Sequence, residues 1–230
     1  MSIFETLQYA LMFLGTLGSL VLGVVVLLKN KRRWQNISFF FLTSGLSLWS
    51  FFMVLHNLTG DLFWGRMIFL PVPMVVFSIW TFSYHFPVSQ NKLYNHNWKY
   101  ILLSVGFPLL TIIGISKYVL YEVQIIDGIL SPIKGELMNY YYAFFLVMIF
   151  LSISNMVRKY YISSQEEKLK MQYLTFGLVG TILCLILFLV ILPGILGTYK
   201  YSFMSPIFSL ILVSFTAYSI IRKRLWSLQY

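Results

Sequence analysis

The chain has 230 residues, of which 59% are hydrophobic and only 10% charged, with a mean hydropathy of +0.79. Soluble domains average about 45–50% apolar and 25% charged residues, so a water-soluble fold is excluded. A net charge of +10 would suggest nucleic acid in a soluble protein; here the basic residues sit in short loops between apolar runs, and anionic lipid is the expected counterpart.

A bilayer crossing takes about 20 apolar helical residues, and seven runs qualify: residues 6–28, 37–57, 62–86, 98–116, 139–161, 172–192 and 201–221. Helix is the form expected of each, because hydrocarbon offers no water to open strand edges. The first run carries its basic cluster after it, the reverse of a cleaved signal peptide, and reads as a retained span. The predicted fold is an all-α membrane protein, a seven-transmembrane helix bundle. Loops after spans one, three and five, together with the C-terminus, hold thirteen of the seventeen Lys and Arg, among them Arg158, Lys159, Lys168 and Lys170, while Arg66, Lys117, Lys134 and Lys200 lie on the other face. The positive-inside rule then places the N-terminus outside and the C-terminus in the cytoplasm, as in a multi-pass protein of the cytoplasmic (inner) membrane.

The longest outside segment, residues 117–138, is too short for a separate domain. Asp127-Gly128 between two apolar runs carries the tight-turn signal of a β-hairpin over residues 119–126 and 129 onward. An irregular lid is the alternative, and either form is placed to cover a cavity between the helices.

Ionisable groups inside a membrane are the default pointers to function, and the span interiors hold no Asp or Glu. The nearest polar constellation lies where span two ends and span three begins: His56, Asn57, Asp61, Trp64 and Arg66. Two readings stand. In one, Asp61 and Arg66 pair at the interface and Trp64 anchors in the aromatic belt. In the other, His56, Asn57, Trp64 and Arg66 face inward and bind an anionic or polar ligand entering from outside. Pro71 and Pro73 follow one turn deeper; each removes a helical hydrogen bond and kinks span three. His56 falls on the outside and His85 and His96 near the inner face, and Cys184 adds no ligand cluster, so no metal site is expected. Neither paired intramembrane aspartates, a Ser/His nucleophile arrangement nor a Gly-rich phosphate loop is present, and no enzyme reading or cofactor follows. Gly15, Gly18 and Gly23 in span one, with Gly177 and Gly180 in span six, are spaced for close helix packing. Ser163 or Ser164 with Glu166 or Glu167 reads as a capping box that starts span six about two turns before the membrane.

Several of these pieces occur in a familiar order: Trp49 late in span two, Arg66 then Pro71 in span three and Phe86-Pro87 closing it. They continue with the E-K-L-K-M-Q-Y-L-T-F-G start of span six, Leu192-Pro193-Gly194 at its end, and Tyr218 to Leu225 leaving span seven. In these the chain resembles the N-terminal seven-transmembrane sensor region of histidine kinases. The resemblance implies a sensory domain at 1–221 and a cytoplasmic juxtamembrane stub at 222–230. It implies detection of an extracytoplasmic or membrane-borne signal and its transmission through the last helix, with Tyr218, Arg222, Arg224 and Leu225 at the exit. It also implies no catalytic activity here, because the phosphoacceptor and ATP-binding domains are not in the sequence, so the chain is expected to be a fragment or a receptor working through a partner. The implied partners are the lipid bilayer, an unidentified ligand, and a cytoplasmic kinase or other output in trans, or in cis in a longer protein. Homodimerisation is left open, and nucleic acid is not among the partners. The alternative function is a small transporter or channel-like permeation protein on the same bundle.

Overall fold

The computed structural model describes residues 3–86, 105–126, 129–192, 195 and 205–221. Eight helices and one two-stranded sheet make up these residues. Helix α1 (Ile3–Lys29) and α2 (Trp34–Thr59) form an antiparallel pair. Next come a short α3 (Leu62–Met67), α4 (Val72–His85) and α5 (Phe107–Gly114). Strands β1 (Leu120–Ile126) and β2 (Ile129–Lys134) precede α6 (Met138–Ile162), α7 (Gln165–Ile186) and α8 (Ser205–Ile221). A π-helical turn, Leu187–Ile191, continues α7.

Five segments are long and apolar enough to cross a membrane: Tyr9–Lys29, Trp34–Thr59, Leu62–His85, Met138–Ile162 and Gln165–Ile186. They coincide with predicted spans one, two, three, five and six. Spans four and seven are described in part, as α5 and α8; residues 98–104, the Leu192-Pro193-Gly194 break beyond Leu192, and the exit residues Arg222, Arg224 and Leu225 lie outside the described residues.

The long helices close a ring in the order α1, α2, α4, α6, α7, α8 and back to α1, and α8 also touches α2. Their shared core includes Val26, Phe39, Leu42, Phe82, Met156, Met171, Leu174 and Val213. A second cluster around Val76, Phe77, Trp80 and Met148 joins α4 to α6. Large apolar side chains on the outside of the ring, such as Leu14, Phe150 and Phe176, stay exposed, which is the arrangement lipid requires and water forbids. Where helices meet, small hydroxyls bridge them. Ser47 Oγ donates to the Thr16 carbonyl at 2.9 Å, and Thr16 Oγ1 donates to Ser50 Oγ at 2.6 Å; bonds of this kind hold membrane helices together where the hydrophobic drive is missing.

Gly23 and Gly177 are packing positions as expected. A Cβ on Gly23 would stand 1.9 Å from Thr43 Oγ1, and one on Gly177 would stand 2.7 Å from the Cβ of Phe215, whereas one on Gly18 would meet nothing within 4 Å. The start of α7 at Gln165 agrees with a helix running two turns ahead of span six, but the capping box does not form. Ser164 occupies the N-cap position without a side-chain cap bond, and Ser163 Oγ donates back to the Lys159 carbonyl at 2.7 Å. Ser163 sits at the end of α6, and its hydroxyl bonds within that helix instead.

Gly23→Val is expected to lower stability by about 1–3 kcal/mol through overpacking against Thr43, while Gly18→Ala stays near wild type. Thermal unfolding of the detergent-solubilised protein measures both, and equal midpoints for the two variants would contradict the close α1–α2 contact.

Candidate functional site

The cap at one end of the ring is assembled where span three is broken. Gly60 ends α2 in the left-handed conformation, φ 67°, and its N–H reaches the His56 carbonyl at 2.8 Å, the usual glycine C-cap. Asp61 then starts α3: its Oδ1 accepts the Phe63 N–H at 2.8 Å. Helix α3 lasts six residues, and the chain turns through residues 68–71 before α4 begins.

The break follows from the two prolines. In an unbroken helix the N–H groups of residues 71 and 73 would bond to the carbonyls of Met67 and Phe69, and proline has none to give. The Met67 carbonyl accepts from Leu70 N instead, at 3.1 Å. The Phe69 carbonyl keeps a 3.4 Å bond from Val72 N and gains a 2.9 Å bond from the hydroxyl of Tyr141, on α6. Tyr141 is 5% exposed and its ring meets Phe69 edge-on. Gly114 makes the room: a Cβ there would lie 2.9 Å from the Tyr141 oxygen.

The β-hairpin forms as the Asp-Gly signal predicts, with Ile126 opposite Ile129 and Leu120 opposite Lys134; the turn residues themselves lie outside the described residues. Its register shifts between Leu120 and Glu122, so Tyr121 has no residue facing it, the mark of a β-bulge. Arg66 reaches this point. Its Nε donates to the Leu120 carbonyl and its Nη2 to the Tyr121 carbonyl, both at 3.1 Å. The guanidinium fork suits two neighbouring acceptors as it suits a carboxylate. The expected Asp61–Arg66 ion pair is therefore corrected: Asp61 is spent on the α3 N-cap and Arg66 on the hairpin.

The remaining predicted residues sit close by. His56 is 8% exposed and its Nδ1 is 3.0 Å from the Asp61 carbonyl; since a carbonyl only accepts, Nδ1 carries the proton. The His56 ring packs on Gly65, which also brings α3 against Leu120. Trp64 stacks on Phe52 at 6.1 Å. Asn57 turns back to its own helix, donating to the Met53 carbonyl at 2.8 Å. The structure thus ties Arg66 to the hairpin, sets His56 beside Gly65 and Trp64 on Phe52, and leaves Asn57 bonded within its own helix. A cavity of about 10 Å³ lies deeper, between α4, α5 and α6, lined by Val72, Pro73, Tyr141 and Phe144 among others. That is room for one water, and none of the four predicted binding residues lines it.

Two polar contacts between α4 and α6 had no signal in the spacing of residues. Asn155 Nδ2 donates to Ser83 Oγ at 3.0 Å, and that hydroxyl donates to the Trp80 carbonyl at 2.7 Å. Lys159, counted above among the solvated loop cations, is fully buried: its ammonium donates to the carbonyls of Tyr84 at 2.5 Å and Phe86 at 3.2 Å, at the frayed end of α4. This corrects its placement among the loop cations; the absence of Asp and Glu from the span interiors is unaffected. Pro87 comes next in the sequence and has no N–H for that end of the helix, which was the available hint. Among the described residues no group of three metal-ligating side chains gathers, and Cys184 stands apart on α7. At the far end of the bundle Tyr218 on α8 is half exposed and meets Tyr173 of α7 edge-on, with ring centres 5.0 Å apart.

A family model described as the N-terminal 7TM region of histidine kinase matches residues 11–229. The chain belongs to this family. No curated protein matches it. The 7TM histidine-kinase region is a membrane-embedded input region rather than the catalytic part of these kinases, and membership makes the chain a multi-pass membrane protein of the sensory class with a signalling output as its counterpart. Within the 7TM region, four long-range side-chain donors, Arg66, Tyr141, Asn155 and Lys159, tie the broken third span to distant elements.

Tyr141→Phe removes the hydroxyl from the Phe69 carbonyl and is expected to cost about 1 kcal/mol, against less than about 0.5 kcal/mol for Tyr140→Phe on the exposed side of α6. Denaturant titration in mixed micelles gives the comparison; parity between the two would show the bond to be idle.

Proposed function

We propose that this chain is a sensory input module whose outer cap receives the signal and whose last helix delivers it. The observation that carries the reading is the match of residues 11–229 to the input region of histidine kinases. In this reading residues 1–221 are the sensory domain and 222–230 the juxtamembrane stub. The protein sits in the cytoplasmic membrane with the N-terminus and the hairpin outside. Its C-terminus then meets a cytoplasmic kinase or other output, in cis or in trans.

The cap supplies a mechanism. Arg66 holds the bulged strand through two carbonyls, and these acceptors are neutral. A ligand presenting a carboxylate or phosphate offers the same fork geometry with a full negative charge, and charge-assisted bonds are roughly twice as strong as neutral ones. Such a ligand takes Arg66 from the hairpin, with His56, Asn57 and Trp64 as the neighbouring contacts. Loss of the strand's hold changes the load on Val119, Met138 and Tyr141, which pack together beneath it. Helix α6 carries the change to Lys159, and α7 and α8 carry it to Tyr218 and the exit residues Arg222, Arg224 and Leu225. Any ligand can shift the output only by its difference in affinity for the two arrangements.

Arg66→Ala is expected to speed amide exchange in strands β1 and β2 by about tenfold or more, since a bond to a charged donor contributes about 1.5–3 kcal/mol. In cells, the same variant is expected to change phosphoryl transfer by the cytoplasmic output at least threefold while membrane levels hold. An output insensitive to Arg66→Ala despite faster hairpin exchange would remove the cap from the signalling path. Solute flux or conductance through the wild-type chain in liposomes would replace the sensor reading with the permeation one.

A further inference from the structure

At the other end of the bundle α6 and α7 diverge from the Ser163-Ser164 turn and leave a groove of about 240 Å³ between them, open along one side. Its composition is graded along the helix axes. Met156 and Val157 on α6 face Thr175 and Phe176 on α7 at the deep end; Tyr160, Tyr161 and Gln172 line the end toward the turn. Val157, Tyr161 and Phe176 are 44%, 76% and 66% exposed, so the groove opens to whatever surrounds the protein. Both helices have the length and apolarity of membrane spans. The connecting stretch, residues 158–170, carries Arg158, Lys159, Lys168 and Lys170 against Glu166 and Glu167. The groove therefore crosses the boundary between hydrocarbon and headgroups, where Tyr is favoured.

Its polar end has unspent donors. Gln172 Nε2 donates to the Tyr160 hydroxyl at 3.0 Å, which leaves that hydroxyl's own hydrogen available. Lys168 holds its ammonium 5.6 Å from the centre of the Tyr160 ring and makes no ion pair among the described residues. Lys170, by contrast, is paired with Glu166. One uncountered cation, a hydroxyl and an amide above an apolar trough form a complement to a molecule with an anionic head and a hydrocarbon tail.

We propose that the α6–α7 groove seats one anionic glycerophospholipid, its phosphate against Lys168, Tyr160 and Gln172 and an acyl chain along Met156, Val157 and Phe176. A trough of this size and openness holds part of a lipid rather than enclosing a whole small ligand, for which pockets run from about 300 Å³ upward. The seat depends on the groove lying at a membrane interface, whichever way the bundle faces, and stands apart from the hairpin cap. Its occupant touches the transmission end as well. Gln172 precedes Tyr173, whose ring meets Tyr218 of α8, so the lipid sits one residue from the contact joining α7 to the last helix.

Native mass spectrometry of the purified chain, released from detergent with equal amounts of phosphatidylglycerol and phosphatidylcholine of matched chains, tests the proposal. One phosphatidylglycerol is expected to be retained in at least fivefold preference. Lys168→Gln is expected to cut that preference about fivefold, the effect of roughly one basic residue at a lipid surface. Val157→Phe fills the trough and is expected to reduce retention of both lipids; Thr175→Leu serves the same purpose if Val157→Phe does not yield folded protein, as judged by thermal unfolding. Equal retention of the two lipids, a preference untouched by Lys168→Gln, or retention undiminished by filling the trough would each overturn the proposal. So would displacement of phosphatidylglycerol by millimolar inorganic phosphate, which would mark a free-anion site.

Discussion

Inside a bilayer a backbone carbonyl that loses its helical donor finds no water to replace it, and leaving it bare costs several kcal/mol. Most of what is particular to this bundle is a response to that constraint. Where span three departs from a continuous helix, long side chains from far along the sequence supply part of the missing hydrogen bonding, and Leu70 N serves the Met67 carbonyl locally. Tyr141 serves Phe69 at the proline break, and Lys159 serves Tyr84 and Phe86 where α4 ends. Arg66, on the stub of helix before the break, turns outward and serves the bulged hairpin strand. The irregular backbone and its donors are thus two halves of one arrangement.

This explains which features could be read in advance. Spans appear in the sequence because hydropathy is a property of consecutive residues, and the hairpin and the proline break appear because their signals are dipeptides or single residues at a fixed offset. The partners of Arg66, Tyr141 and Lys159 are 54 to 75 residues away, and no local spacing encodes them. Asp61, five positions before Arg66, is the nearest charge in sequence but is spent on capping α3. Lys159 stands beside Arg158 in a basic run, which disguises a buried ammonium as one more loop cation. The packing role of Gly23 was legible as a small residue in a span; that its neighbour is Thr43 was not.

The two ends of the molecule differ in chemistry. At the hairpin end His56, Arg66 and Tyr141 are bound to carbonyls and Asp61 to the α3 cap, and the cavity admits no more than one water. The α6–α7 end is loosely packed, with a trough and an uncountered Lys168.

The three contacts from α6 to span three have a mechanical consequence. Tyr141 grips the break, while Asn155, through Ser83, and Lys159 grip the last turn of α4. The outer two grips lie about 27 Å apart along the helix at the usual rise per residue. A beam pinned at both ends to the same support neither tilts nor slides against it. Helices α7 and α8 are stitched to one another where Thr181 Oγ1 donates to the Phe208 carbonyl and accepts from Leu212 N. Span three and α6 thus form one braced unit and α7 and α8 a second, joined in sequence through the Ser163-Ser164 turn.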